Sequence, residues 1–114
     1  MRNIRKMKAK LKFKGKEIII NDIEKAEGLK KIFGLMFKKK ESNALVFKFN
    51  FPSQYSIHSY FCKPFLAIWL NKGKIIDHKI VGPNSVVSPL CEFDQLVEVP
   101  LNEKYKNVCD IFLK

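Results

Sequence analysis

The 114-residue sequence predicts an α+β domain: a small, antiparallel, barrel-like sheet dominates, with one main helix packed against it. Three observations lead there. Apolar and polar residues alternate in short runs, the mark of half-buried strands. Gly, Asn and Pro punctuate those runs at short intervals, as hairpins require. A single stretch, beginning at Asn21-Asp22, combines a capping pattern with a helical apolar repeat. About seven short strands would leave costly open edges, and a strongly curled sheet with the helix over one opening deals with them best.

The elements follow in chain order. Lys8 to Lys14 alternates with period two, putting Ala9, Leu11 and Phe13 on one face and lysines on the other. Gly15-Lys16 turns the chain, and Glu17 to Ile20 is the return strand. Asn21 or Asp22 then caps a helix, with Glu24 completing a capping box. Ile23, Ala26, Leu29 or Lys30, and Phe33 form its apolar face, and Gly34 sits at its C-terminus. A polar loop over 38–43 leads into a strand over 44–49, and Pro52-Ser53-Gln54 signals a turn. Strands are expected at 55–62, 65–71 and 74–81, the last two joined by the tight turn Asn71-Lys72-Gly73. A closing strand over 95–99 ends at Pro100. The tail over 101–114 reads as a turn of helix followed by a short strand.

The length suits one domain spanning residues 1–114, since a split would leave two pieces too small to bury a core unaided. The sequence is 46% hydrophobic with ten Phe, which is a globular composition. No run reaches the roughly 18 apolar residues of a membrane-spanning helix. The basic N-terminus lacks the apolar segment of a secretory signal, so a soluble cytoplasmic protein without membrane insertion is expected. Cys62, Cys91 and Cys109 are odd in number and widely spaced, which reads as reduced thiols. The formal charge of +11 is concentrated at the start: residues 1–16 carry eight basic side chains and no acid. Arg2 and Arg5 are the only arginines among 22 basic residues. That argues against a sequence-reading nucleic-acid binder, which leans on bidentate Arg contacts.

Several blocks together resemble a known family. Gly34-Leu35-Met36-Phe37 is followed by Ala44-Leu45-Val46-Phe47-Lys48-Phe49, then by Ser56-Ile57-His58 and Phe61. Pro64, Trp69-Leu70, Ile75-Ile76-Asp77, Pro89 and Val97-Glu98-Val99-Pro100 complete the series. Their order and spacing over about residues 8–100 resemble the domain of unknown function 192 family (UPF0127) in its archaeal-type version. The resemblance implies a small, compact, β-rich domain and brings no activity or cofactor with it. Related sequences usually carry an acid where this chain has Leu66, and often an Arg where it has Phe33.

The candidate site residues gather in the same region. His58, Tyr60 and Cys62 share one face of the expected strand over 55–62 by period two. A thiol beside an imidazole suits a nucleophile and base or part of a zinc site, while the plainer reading is a buried Cys and a core His. His78, beside Asp77, reads as a solvent-facing hairpin residue. Glu98 between Val97 and Val99 is either half-buried or, by simple alternation, on a wet face. Barrel mouths hold ligands, so His58, Tyr60, Cys62, Trp69 and Glu98 form the expected pocket for a small molecule or protein partner. The aromatic series from Phe47 to Trp69, interleaved with Lys48 and Lys63, reads as core, with a stacking platform for single strands as the competing reading. Lys8, Lys10, Lys12, Lys14 and Lys16 form either a lysine-guarded sheet edge or a weak polyanion-binding stripe. No phosphate-binding Gly-rich loop, G-x-S-x-G or H-E-x-x-H pattern occurs, and no cofactor, metal or catalytic residue is expected. The expected role is a non-enzymatic binding module. A polyanion binder and a Cys/His enzyme are the alternatives.

Overall fold

The computed structural model describes residues 6–25, 43–53, 57–58, 64–82 and 85–113. Among the described residues eight strands run in the order β1 (Lys6–Phe13), β2 (Lys16–Lys25), β3 (Leu45–Ser53), β4 (Ile57–His58), β5 (Phe65–Asn71), β6 (Lys74–Val81), β7 (Val86–Val87) and β8 (Phe93–Pro100). One turn of 3-10 helix, Glu103–Tyr105, leads into the helix α1 (Lys106–Leu113). Six strands form one curled sheet in the order β1-β2-β3-β8-β5-β6, and β4 and β7 pair as a separate ribbon. The expected class, a barrel-like sheet with a helix against it, is the one observed. Its pairs are antiparallel except β2 with β3, where Glu24 faces Leu45 and Lys25 faces Val46 in parallel. A parallel pair needs a crossover of a dozen or more residues, and residues 26–44 are long enough to supply it.

Local chemistry fixes the turns. Lys14 and Gly15 have φ of 51° and 78°, and Lys72 and Gly73 have φ of 52° and 79°. Two consecutive left-handed residues are what a two-residue hairpin matched to the strand twist requires. The first turn is therefore Lys14-Gly15, one residue earlier than expected.

The helix expected from Asn21-Asp22 is not there as far as Lys25, and its remainder lies outside the described residues. Residues 21–25 continue β2. Against β1, Met7 pairs with Ile23 but Ala9 pairs with Ile20, so Asn21 and Asp22 together face the single residue Lys8. This is a β-bulge, and Asp22 sits in it at φ 55°, a conformation Asp tolerates better than most side chains. The bulge shifts the alternation by one, so Ile18, Ile20 and Ile23 are all buried on one face. Ile23, the first residue of the expected helical face, is therefore a strand residue of β2. Glu24, instead of closing a capping box, accepts a hydrogen bond on Oε2 from Asn43 Nδ2 at 2.8 Å.

The helix that packs on the sheet comes from the tail, where a turn of helix and a strand were expected. Asn102 caps the 3-10 turn by accepting a hydrogen bond on Oδ1 from Tyr105 N at 3.2 Å. Val108, Cys109 and Phe112 then fall on one side of α1 and are buried. They join Leu11, Ile18, Ile20, Ile23, Ala44, Val46, Leu66, Ile68, Leu70, Val97 and Val99 in one core cluster. The sheet curls around this cluster. Phe13 on β1 and His78 on β6, the two outermost strands, have ring centroids 5.0 Å apart. Phe112 of α1 lies against both, 4.5 Å from Phe13 and 5.1 Å from His78.

Tyr105 fastens the tail to the bulge. Its hydroxyl accepts a hydrogen bond from Ala44 N at 2.9 Å and donates toward Asn21 O at 3.0 Å and Asp22 O at 3.2 Å. Lys104 pairs with Asp22 at 2.9 Å and donates to Asn43 Oδ1, closing a polar collar around the ring. Burial pushes the Tyr105 hydroxyl above its usual range, and the hydrogen bond from Ala44 N works against that. The hydrogen bond to Asp22 raises Lys104.

Candidate functional site

Alternation gives the sheet a second buried face, opposite α1. β5 is buried on both sides: Leu66, Ile68 and Leu70 join the cluster under α1, while Phe65, Ala67 and Trp69 turn the other way. These three pack with Leu45 and Phe47 of β3, Val81 of β6, and Phe93 and Leu96 of β8. Phe49 lies edge-on to Phe93 at 5.4 Å. Among the described aromatics, the series from Phe47 to Trp69 is thus core packing and not an exposed stacking platform.

Glu98 belongs to this second face. Its backbone pairs with Leu45 on one side and Ala67 on the other. Alternation does turn Glu98 away from Val97 and Val99, but the face it turns to is not wet: Glu98 is 4% exposed. The wet-face expectation fails because both sides of β8 are covered. Glu98 is the only buried charged side chain among the described residues.

Trp69 stands two residues along β5 from the Ala67–Glu98 pair, between Leu96 on β8 and Asp77 on β6. It is fully buried. Its indole Nε1–H has no hydrogen-bond acceptor among the described residues. A buried donor left in that condition costs about 1–3 kcal/mol. The β6 side of this face is tied down by polar contacts: Asp77 accepts from His78 N at 2.8 Å and from Leu90 N at 3.0 Å, and Lys79 donates to Ser88 O at 2.6 Å.

The ribbon of β4 and β7 adjoins the same face, because Val87 packs against the Trp69 cluster. Ile57 pairs with Val87 and His58 with Val86. The backbone of His58 is therefore on the side of the sheet that holds Trp69 and Glu98. The side chain of His58, and Tyr60 and Cys62 altogether, lie outside the described residues.

The other sequence candidates separate. Lys8, Lys10 and Lys12 are exposed on β1, an edge strand, and point away from the core. Lys14 is in the hairpin turn, and Lys16 pairs with Phe13 and so belongs to the opposite side of the strand. The five lysines thus do not form one stripe. His78 is not a solvent-facing hairpin residue: it is half-buried between Phe13 and Phe112. Cys109 is buried, and desolvation, then the charge of Asp110, push its thiol up to about 11. A thiol so protonated is a poor nucleophile near neutral pH. Cys91 is exposed. No cluster of three metal-ligating side chains occurs among the described residues.

One feature escaped the sequence reading. Between the tip of the β1–β2 hairpin and α1 lies a cleft of about 470 Å³ lined by Phe13, Lys14, Lys16, Asn107, Asp110 and Ile111. The available signal was the helical phase of residues 106–113, in which Asn107, Asp110 and Ile111 share a side distinct from Val108, Cys109 and Phe112.

Comparison with known proteins identifies the architecture. The fold has been seen before. A protein of unknown function from Novosphingobium aromaticivorans DSM 12444 superposes with a TM-score of 0.73 at 11% identity, covering 93% of this chain and 80% of that one. A Sinorhizobium meliloti 1021 protein described as a "putative transcription regulator" superposes with a TM-score of 0.72 at 13% identity, covering 95% of this chain and 91% of its own. At such identities the likeness is one of fold alone. No family model and no curated protein matches the chain. Among the described residues no helix is long and apolar enough to cross a membrane.

Proposed function

We propose that this chain is a non-catalytic binding domain whose ligand, a small molecule or a peptide segment, is held on the Trp69 face of the sheet beside the β4–β7 ribbon. The observation that carries the reading is the fully buried indole of Trp69, whose N–H has no acceptor among the described residues. An apolar pocket with a few convergent polar groups is the usual form of a ligand site. The Trp69 N–H and the Glu98 carboxylate would supply those polar groups, and a ligand reaching them would part side chains now packed around Trp69, among them Phe47, Phe65, Phe93 and Leu96. A carbonyl, ether or carboxylate oxygen on the ligand would satisfy the indole. Burial keeps the Cys109 thiol protonated near neutral pH, which sets that one residue aside as a nucleophile. Trp69 is the only tryptophan, so its indole N–H gives one resolved signal in a nitrogen–proton correlation spectrum. A fragment screen read at that signal tests the proposal, and calorimetric affinity for Trp69→Phe, which removes the donor and keeps an aromatic ring, is the control.

The resemblance to the domain of unknown function 192 family belongs to the same reading. Its Trp69-Leu70, Ile75-Ile76-Asp77 and Val97-Glu98-Val99-Pro100 blocks fall on β5, β6 and β8, adjoining strands. A reducing, cytoplasmic setting goes with it, supported by the free thiols of Cys91 and Cys109. A second reading, weak binding of nucleic acid or another polyanion, draws on the exposed row Lys8, Lys10 and Lys12.

A further inference from the structure

The cleft between the β1–β2 hairpin and α1 is built from two banks and a floor. The left-handed pair Lys14-Gly15 turns the hairpin tightly and puts Lys14 and Lys16 on either side of it. Both lysines are exposed. Lys14 Nζ stands 5.3 Å from the centroid of Phe13. The opposite bank is the outer side of α1, where Asn107 and Asp110, three residues apart, are neighbours on the helix surface. Phe13 and Ile111, both half-buried, make the floor. The floor is rigid, because Phe13 is stacked on Phe112 and met edge-on by His78.

The two banks carry opposite charge and do not meet. Among the described residues the side chains of Lys16, Asn107 and Asp110 make no hydrogen bond or ion pair. A volume of about 470 Å³ lies within the range of small-ligand pockets, roughly 300–1,000 Å³. We propose that this cleft is a second binding site, distinct from the Trp69 face, for a small zwitterion of the amino-acid or dipeptide class. The ligand carboxylate lies against Lys14 and Lys16, its ammonium against Asp110 with Asn107 as a further hydrogen-bonding group, and its apolar side chain on Phe13 and Ile111. The three contacts follow from the sign and position of the groups. A simple anion would leave Asp110 as a repelling neighbour, and a simple cation would meet the two lysines.

The experiment is a titration of the labelled protein with four probes, followed at the backbone amide signals of residues 13–16 and 106–111. L-phenylalanine and the dipeptide Phe-Phe separate the two sources of the chemistry. N-acetylphenylalanine lacks the ammonium, and phenethylamine lacks the carboxylate. We expect L-phenylalanine or Phe-Phe to shift these amides saturably, with each one-charge analogue weaker by about fivefold, as for an exposed charge pair. Lys16→Gln and Asp110→Asn should each weaken binding similarly. Lys14→Asn should do so while keeping the turn, because Asn tolerates a positive φ. All three positions are exposed, so these variants keep the core intact. The proposal is overturned if neither zwitterion shifts these amides at millimolar concentration. It is equally overturned if the one-charge analogues bind as well as the zwitterions, or if the variants bind like the parent. The Trp69 indole signal is separate from this set, so failure here and failure of the Trp69 reading are distinguishable.

Discussion

Tyr105→Phe removes one oxygen atom and nothing else, and the structure assigns that oxygen the work of joining three parts of the chain. It accepts from Ala44 N and donates toward the carbonyls of Asn21 and Asp22. Ala44 is fully buried, so in the variant its N–H would lose its acceptor with no water to replace it. A buried donor stranded in this way costs about 1–3 kcal/mol. The ring stays, so no cavity contributes. Asn21 is exposed and its carbonyl can turn to solvent, which keeps the total near that of the amide alone. For 114 residues, 1 kcal/mol corresponds to roughly 4 °C in Tm, so a fall of roughly 4–12 °C is expected. Urea denaturation followed by the fluorescence of buried Trp69 measures the change, and hydrogen exchange at the Ala44 amide locates it. A variant within about 0.5 kcal/mol of the parent, with Ala44 still protected, would refute the assigned role.

Trp69→Ala, with the indole fully buried, should cost about 3–5 kcal/mol; circular dichroism during denaturation, which does not need the tryptophan, measures it, and an unchanged midpoint would put the side chain outside the core. Alkaline pH should destabilise the fold. Cys109, Tyr105 and Lys104 are all raised, so the folded chain holds these protons more tightly than the unfolded one. Stability is then full below the unfolded values and falls as pH rises, first for the thiol, from about pH 8.5 through about 11. The thiol alone accounts for on the order of 2–3 kcal/mol, and Cys109→Ser should flatten that limb of the curve. The lysine row contains three exposed members, Lys8, Lys10 and Lys12. Binding to single-stranded RNA through them would therefore give a slope of log K against log salt of about −2, set by 0.7 per phosphate. A Lys8→Glu, Lys10→Glu, Lys12→Glu variant should abolish it, and an unaltered slope would place the contacts elsewhere.

The strands were legible where a local rule decided them. Alternation over Ala9, Leu11 and Phe13 and the Asn71-Lys72-Gly73 turn correctly gave β1 and the β5–β6 hairpin. Period arguments failed where the chain broke its own period. The bulge at Asn21-Asp22 brings Ile23 into phase with Ile18 and Ile20 on β2, whereas local pattern offers Ile23 equally as the first residue of a helical face. The same two polar residues that cap helices also accommodate a left-handed bulge, so their presence could not separate the alternatives. Glu98 illustrates a second limit: alternation tells which residues share a face, while only the tertiary structure tells whether that face is covered. The lysine series has the same lesson in reverse, since a two-residue turn at Lys14-Gly15 ends the alternation that put five lysines in line. The reading of Trp69 as a core anchor holds, since its side chain is fully buried. The cleft against α1 was illegible for a different reason. It joins residues 13–16 to residues 107–111, and nothing local records that these segments meet.

The measurement closest to the central proposal is the Trp69 indole signal itself. In labelled protein without ligand, the account predicts one indole N–H resonance, slow to exchange because the side chain is buried, and at a proton shift characteristic of a donor without a strong acceptor. Fragments that carry an oxygen acceptor on a flat apolar body should move that resonance downfield and protect it further, and the same fragments should lose affinity for Trp69→Phe. An indole resonance that already has the shift of a strong hydrogen bond, or that stays fixed across the screen, would contradict a ligand site on this face.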